Sequence, residues 1–275
     1  MDKNKGFTVF TRPNSTYDFD PSLLQKIIQD PASTLNIISD LIAQPGRVLD
    51  VGAGNGLLGA LLRQKKRQVE IDGLEPNPHA ASIAEPYYNY FIKDNFQGYL
   101  PKLKEIKYDF IVLADVLEHI DNPLLWLEDL YICVKKDTQI FISIPNIAFG
   151  AVRLALLRGE FNYVDSGILE RTHLRFFTLK NLDKMIELSG FHINKLYLLK
   201  RNMLKTEIKL RFNLTDFFNF YKIYKDETSS VYQFIAVISK KQIRRTTEVR
   251  GHGLSHPVFS FVKYYLKRKR HIGAC

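Results

Sequence analysis

From residue 47 onward, apolar and polar positions alternate between two periods. "RVLDV" is a short β-branched run that stops at glycine, and "NGLLGALLRQKK" then takes up a helical spacing. "QVEIDGLEP" reads as a second strand ended by Pro76, followed by a short helix through "PHAASIAE". "YYNYFIKD" and "YDFIVLAD" read as the third and fourth strands. The helix "NPLLWLEDLYICVKK" starts with Asn122 placed as N-cap and Pro123 in the first turn. "TQIFISIP" is continuously apolar, as a strand buried on both faces should be. An irregular segment follows, then a helix through "TLKNLDKMIELSG" with Gly190 at its C-cap. "FHINKLYLLK" and "VYQFIAVISKK" complete seven strands. The alternation predicts an α/β fold with a doubly wound, mostly parallel sheet. The last two strands have no clear helix between them, so the final one is expected to run antiparallel.

Three units follow from this pattern. Residues 1–46 carry two helical patterns, "PSLLQKIIQD" and "ASTLNIISDLIAQ", and are expected to form a helical lid or to pack on the sheet. Residues 47–240 hold the sheet, and residues 241–275 form a basic tail. The net charge of +10 is concentrated there: nine Lys or Arg stand against one acid, Glu248. The body is therefore near neutral, which removes overall charge as an argument for nucleic-acid binding. Cys133 and Cys275 offer neither a disulfide framework nor a metal knuckle. With no apolar leader in "MDKNKGFTVFTRPNS", a reducing, cytoplasmic compartment is expected. The longest apolar stretch, "IFISIPNIAFGAVRLALL", is broken by Pro145, Asn146 and Arg153 and does not read as a membrane span.

In open α/β sheets, ligands bind beyond the carboxyl ends of the strands. Strand 1 ends in a glycine loop with two readings. Gly54-x-Gly56-x-x-Gly59, with Glu75 downstream, fits a dinucleotide fingerprint. Gly52-x-Gly54-x-Gly56, preceded by Asp50, fits the nucleoside loop of S-adenosylmethionine enzymes. Spacing leaves both open. Strand 2 ends at Glu75, able to accept from two ribose hydroxyls. Strand 3 ends "KDNF", where Asp94 can face an amino group and Asn95 or Phe96 can flank a ring. Strand 4 ends "ADVLEH", with Asp115, Glu118 and His119, and strand 5 ends "IPN" with Asn146 at the mouth.

Together, "VLDVGAGNG", "LEPN", "YDFIVLADVLEHIDNP", "SIPNIA" and "RTHLRFFTLKNLDKMIELSGF" resemble class I S-adenosylmethionine-dependent methyltransferases. The likeness is to the bacterial branch associated with cell-surface glycans and, more distantly, to ubiquinone-biosynthesis O-methyltransferases. It covers roughly residues 30–200 and implies a Rossmann-like fold with S-adenosylmethionine as cofactor rather than NAD. It also implies that Asp50, Gly52, Gly54 and Gly56 surround the methionine part, Glu75 the ribose, and Asp94 and Asn95 the adenine. Ala53, Pro76 and Asp115 complete the expected cofactor set. Methyl transfer from a sulfonium needs an aligned acceptor and removal of its proton. His119 is the first candidate base and His173 the second, with Glu118 beside them. Asp115-x-x-Glu118-His119 with a distant His173 also resembles the metal-binding set of small-RNA 3′-end methyltransferases. A divalent ion is therefore weighed against two side chains that diverge along a helix.

The expected activity is O-methylation of a glycan or glycan precursor, with a small-molecule or quinone acceptor as the alternative. RNA methylation and a non-catalytic binding role are further rivals, and nucleic acid is not the expected partner. Arg153, Arg158, Arg171 and Arg175 would suit a phosphate or carboxylate on the acceptor. Val258, Phe261, Val262, Tyr265 and Leu266 keep helical spacing before "KRKR", so peripheral contact of the tail with an anionic membrane is expected.

Overall fold

The computed structural model describes residues 21–208, 210 and 216–253. Its strands are β1 (Gly46–Val51), β2 (Val69–Leu74), β3 (Tyr90–Ile92), β4 (Phe110–Ala114), β5 (Gln139–Pro145), β6 (His192–Lys200), β7 (Val231–Ser239) and β8 (Thr246–Gly251). They form one sheet in the order β3-β2-β1-β4-β5-β7-β6-β8. The pairs β1–β2, β2–β3, β1–β4 and β4–β5 are parallel. β7 runs antiparallel between β5 and β6, although a helix does stand between β6 and β7 in the chain.

Against the expected seven strands, eight are present among the described residues. β8 lies within the segment expected to be tail and pairs in parallel with β6, so the last described strand is not the antiparallel one. Its residues Thr246–Arg250 are exposed, which is why no apolar pattern announces it. Backbone hydrogen bonds to the sheet edge hold it there.

The helices are α1 (Pro21–Gln29), α2 (Thr34–Leu41), α3 (Leu57–Gln64), α4 (Pro78–Ala84), α5 (Phe96–Leu103), α6 (Pro123–Cys133), α7 (Gly150–Leu156), α8 (Leu179–Leu188) and α9 (Asp216–Tyr224). Three of them were not legible in the sequence. Gly98 and Pro101 interrupt α5, yet Asn95 caps it and Phe96, Tyr99 and Leu103 turn inward at helical spacing. α7 occupies the segment read as irregular, and α9 stands between β6 and β7. Where a cap was expected it is present: the Asn122 side chain accepts from Leu125 N, and Gly190 follows α8 with φ +86°.

Successive strand residues feed opposite faces. Leu49, Ile111, Leu113, Ile140 and Ile142 pack with residues of α5, α6 and α8. Val48, Val112, Phe141 and Ile235 pack with Ile37, Ile38, Leu58 and Leu62 of α2 and α3. α2 is thus bound to the sheet face, and Lys65 fastens it further through Asn36, Ser39 and Asp40. Residues 1–20 of the expected lid, and the apolar stripe and "KRKR" of the tail, lie outside the described residues. No helix among the described residues is long and apolar enough to cross a membrane.

Candidate active site

The strand order reverses between β1 and β4, opening a crevice at their carboxyl ends. The glycine loop stands on one side of it. Gly52 N and Ala53 N donate to Leu74 O at 2.8 and 3.0 Å, which folds the loop back over β2. Gly54 has φ +54°, and an added Cβ would meet only Gly52 O, at 3.9 Å, so the backbone here is open to close approach. Gly56 differs: with φ +86°, its Cβ would lie 2.8 Å from the Ala84 backbone. One glycine of the motif is free for a ligand, and the other is required by packing of the α3 N-terminus against the end of α4.

Glu75 is buried at the end of β2. Its Oε2 accepts from Gly54 N at 3.0 Å and its Oε1 from Asn77 N at 2.9 Å. A carboxylate has about four acceptor sites, so capacity remains for a diol. Pro76 beside it is exposed. Asp50 is buried beneath the loop and accepts from Tyr88 Oη at 2.6 Å. Burial pushes its carboxyl up to about 7, opposed by the Tyr88 bond and reinforced by the charge of Glu75. Asp50 is therefore placed as a support of the loop, with Tyr88 as its partner. Ala53 is likewise buried, in the core below the loop. Beyond β3, Asp94 is exposed and accepts from Asn95 N at 2.7 Å, while Asn95 Oδ1 accepts from Gly98 N. The expectation that Phe96 could flank a ligand ring is corrected: it is buried in the core with its ring centroid 3.6 Å from that of Trp126.

The loop after β4 forms the other wall. It touches the glycine loop directly, since a Cβ at Gly52 would come within 3.0 Å of Val116 Cγ2. Asp115 adopts φ +55°, and its Oδ1 accepts from Ser143 Oγ at 2.9 Å and Gln233 Nε2 at 2.6 Å. The turn Leu117–His119 is 3-10, not α-helical. It does not separate Glu118 from His119. With His173 they offer three ligand-type atoms all within 4.8 Å of one another. The Leu174 and Arg175 amides donate to Glu118 O at 2.8 and 3.0 Å, which brings the distant His173 loop to this turn.

His119 Nδ1 lies 3.2 Å from Thr172 O, and His173 Nδ1 lies 3.0 Å from Ile168 O. A carbonyl only accepts, so each neutral ring carries its proton on Nδ1 and its lone pair on Nε2. The two rings meet edge to face, with centroids 4.8 Å apart. Burial lowers the pKa of His173, which favours the neutral base. Glu118 is 1% exposed, and neither of its carboxylate oxygens has a hydrogen-bond partner among the described residues. Burial, then the charge of Asp115, pushes its carboxyl well above the ordinary range.

Other residues singled out from the sequence have structural partners. Asn146 is buried, donates to Val231 O at 2.7 Å and accepts from Ala148 N, locking the end of β5 to the start of β7. Arg153 pairs with Asp226 at 2.6 Å, Arg158 with Asp216 at 3.7 Å, Arg171 with Asp165 at 3.4 Å and Arg175 with Asp121 at 2.5 Å. Ser143 and Gln233 were missed: each is a polar residue in an apolar run, and only the sheet brings them to Asp115.

A family model described as a methyltransferase domain matches residues 24–196. The chain belongs to that family and is a methyltransferase. It is 29% identical over 199 residues to a ubiquinone biosynthesis O-methyltransferase of Rickettsia canadensis, a match covering 70% of this chain and 80% of the relative. Its fold is that of solved methyltransferases. One is a SAM-dependent methyltransferase from Archaeoglobus fulgidus, with TM-score 0.54 and 20% identity over 81% of this chain and all of the other. Another is the magnesium protoporphyrin IX methyltransferase of Synechocystis PCC 6803 with bound SAH, with TM-score 0.52 and 16% identity over 82% of this chain and 90% of the other.

Proposed function

We propose that the chain transfers a methyl group from S-adenosylmethionine to a hydroxyl oxygen of a small, quinone-type acceptor. Two features fit the donor: the open Gly54 backbone and the residual acceptor capacity of Glu75. The fold is shared with a methyltransferase solved with bound SAH. When bound, the donor supplies a methyl group on a sulfonium leaving group. Glu75 is the ribose ligand, Gly52 and Gly54 approach the methionine part, and Asp94 and Asn95 border the adenine.

The observation that carries the O-methylation reading is the pair of imidazoles that meet at the turn after β4. His119 and His173 both keep Nε2 free of the backbone carbonyls that hold Nδ1. Either can take the proton of an acceptor hydroxyl, and the Glu170 carboxylate, 4.0 Å from His173 Nε2, would stabilise the imidazolium formed there. The named relative supports a quinone-type acceptor. The glycan acceptor rests on sequence motifs alone, and the four arginines that would have met a charged sugar are engaged by Asp226, Asp216, Asp165 and Asp121.

A second reading concerns how the proton is made to leave. Glu118, His119 and His173 could hold one divalent ion, and the unpartnered buried carboxylate favours it. Such an ion would lower the pKa of a bound hydroxyl.

Incubation of the full chain with methyl-labelled donor and separate phenolic, cell-envelope glycan and RNA fractions tests the acceptor. Label in the phenolic fraction supports the proposal, and label in the glycan or RNA fraction replaces it. Donor binding without any transfer would mark a non-catalytic binder. His119→Ala and His173→Ala should each cut turnover by roughly 10²–10⁴-fold with donor affinity nearly intact. Full turnover in both would place the base elsewhere. Loss of activity with chelator, restored by a divalent cation, would support the metal.

A further inference from the structure

Gln233 sits on β7 opposite Pro145 of β5, at the carboxyl edge of the parallel strands. It is buried, and both ends of its amide are used. Nε2 donates to Asp115 Oδ1 at 2.6 Å, and Oε1 accepts from Thr34 Oγ1 at 2.9 Å. A primary amide has one acceptor and one donor end, so this single side chain can satisfy a carboxylate and a hydroxyl in opposite directions. Thr34 is the first residue of α2, which is packed on the sheet face. An amide in the middle of the apolar run of β7 has little other reason to be there, because burying it without such partners is costly.

The carboxylate it holds is unusual. Asp115 stands at φ +55°, a backbone region that L-residues other than Asn and Asp seldom adopt. Its amide is held by Ser143 O at 3.3 Å and Ser143 Oγ at 3.0 Å. The bonds from Ser143 Oγ and Gln233 Nε2 converge on Oδ1 alone, so Oδ2 takes no part in them. Despite these bonds the residue remains exposed, next to Val116, which abuts Gly52 of the glycine loop. Oδ2 thus stays outside the lock, on the residue next to the contact between Val116 and the glycine loop.

We infer that Gln233 is a positioning residue for methyl-donor binding, fixing the Asp115 carboxylate toward the cationic part of the donor and tying it through Thr34 to α2. The inference rests on the reading that Asp115 belongs to the donor site. The chemistry it recognises is an ammonium group beside the glycine loop. Seating of α2 on the sheet and orientation of Asp115 are then linked through one amide.

Calorimetric titration of the full chain with S-adenosylmethionine tests this in four variants: Asp115→Asn, Gln233→Leu, Gln233→Glu and Thr34→Val. Asp115→Asn checks the underlying placement. Unchanged affinity there removes Asp115 from the donor site. Gln233→Leu is expected to weaken donor binding about tenfold, the order of loss when a hydrogen bond to a charged group is deleted. Gln233→Glu keeps the size of the side chain but sets a like charge against Asp115, so it should weaken binding more. Thr34→Val should give a smaller loss in the same direction.

The pH profile provides a readout that a packing defect would not move. Amide donation favours the ionised carboxylate, so its loss should shift the acid limb of donor affinity to higher pH. Glu118, His119 and His173 also face Asp115, and all three are unchanged in these variants. If Asp115→Asn weakens binding while Gln233→Leu and Gln233→Glu keep wild-type affinity and acid limb, the inference is overturned. Should the Leu variant fail to fold, the isosteric Glu variant decides.

Discussion

Glu75 joins the glycine loop to the turn after β2 by accepting from Gly54 N and Asn77 N with separate oxygens. Glu75→Ala should therefore weaken S-adenosylmethionine binding by about 1–3 kcal/mol, through lost ribose contacts and a slackened glycine loop. An unchanged dissociation constant in a folded variant would show that Glu75 only supports the loop. Asp50 makes a different prediction. Its carboxyl is pushed up to about 7 in the folded chain, whereas in an unfolded chain it titrates near the ordinary value of about 3.9. The folded state therefore holds the proton more tightly. Its contribution to stability is full below about pH 4 and is lost as pH rises through 7. Asp50→Asn, permanently neutral and still able to accept from Tyr88, should remove this part of the fall. Urea unfolding at intervals between pH 4 and 8 measures it. A variant slope identical to that of the native chain would place the Asp50 pKa near its ordinary value. Glu118, buried and also shifted upward, leaves its own share of the slope in both proteins.

At the scale of elements, the motif spelled by three glycines divides its work. Gly56 sits where the α3 N-terminus meets the end of α4, in left-handed conformation with no space for a methyl group. Gly56→Ala should cost roughly 1–3 kcal/mol through strain and backbone collision. Gly54→Ala meets no such obstacle. Its cost should be near the left-handed penalty of about 1–2 kcal/mol, while donor affinity falls because the methyl fills the approach to the backbone. Thermal melts and donor titration on the two variants separate these effects. Similar donor affinity in Gly54→Ala and the native chain would remove that loop position from the pocket. α5 and the turn Leu117–His119 carry a related lesson: a helix containing Gly98 and Pro101 forms because Asn95 caps it and three side chains find a core. The 3-10 turn lets two consecutive residues share a site that an α-helix would have split.

For the whole molecule, the boundary after residue 240 does not coincide with the edge of the sheet. β8 covers β6 from Lys195 to Lys200. Deleting residues 241–275 should lower the melting midpoint and promote association, since it uncovers a strand edge. Deleting only residues 254–275 keeps β8 on β6 and should lower the midpoint less. The shorter deletion also removes "KRKR" and is expected to weaken co-sedimentation with anionic vesicles, at about 1 kcal/mol for each basic residue near the surface. Equal melting of both truncations would show that β8 adds nothing to the fold, and equal sedimentation of the shorter truncation and the full chain would remove the membrane contact.

The sequence by itself determined the five parallel strands, the glycine loop, the acid after β2, and the caps at Asn122 and Gly190. Each of these is written in local periodicity or local turn chemistry, so neighbours in the chain suffice to read it. Only the tertiary structure decided that α7 and α9 are helices, that an exposed run without apolar pattern is a strand, and that Phe96 belongs to the core. It also decided that His173 meets His119, that the buried Glu118 carboxylate has no hydrogen-bond partner among the described residues, and that Ser143 and Gln233 close on Asp115. The physical reason is range. A strand or cap gains its energy from residues a few positions away, whereas a buried carboxylate, an edge strand or a shared amide is stabilised by groups that only the folded sheet brings within hydrogen-bonding distance.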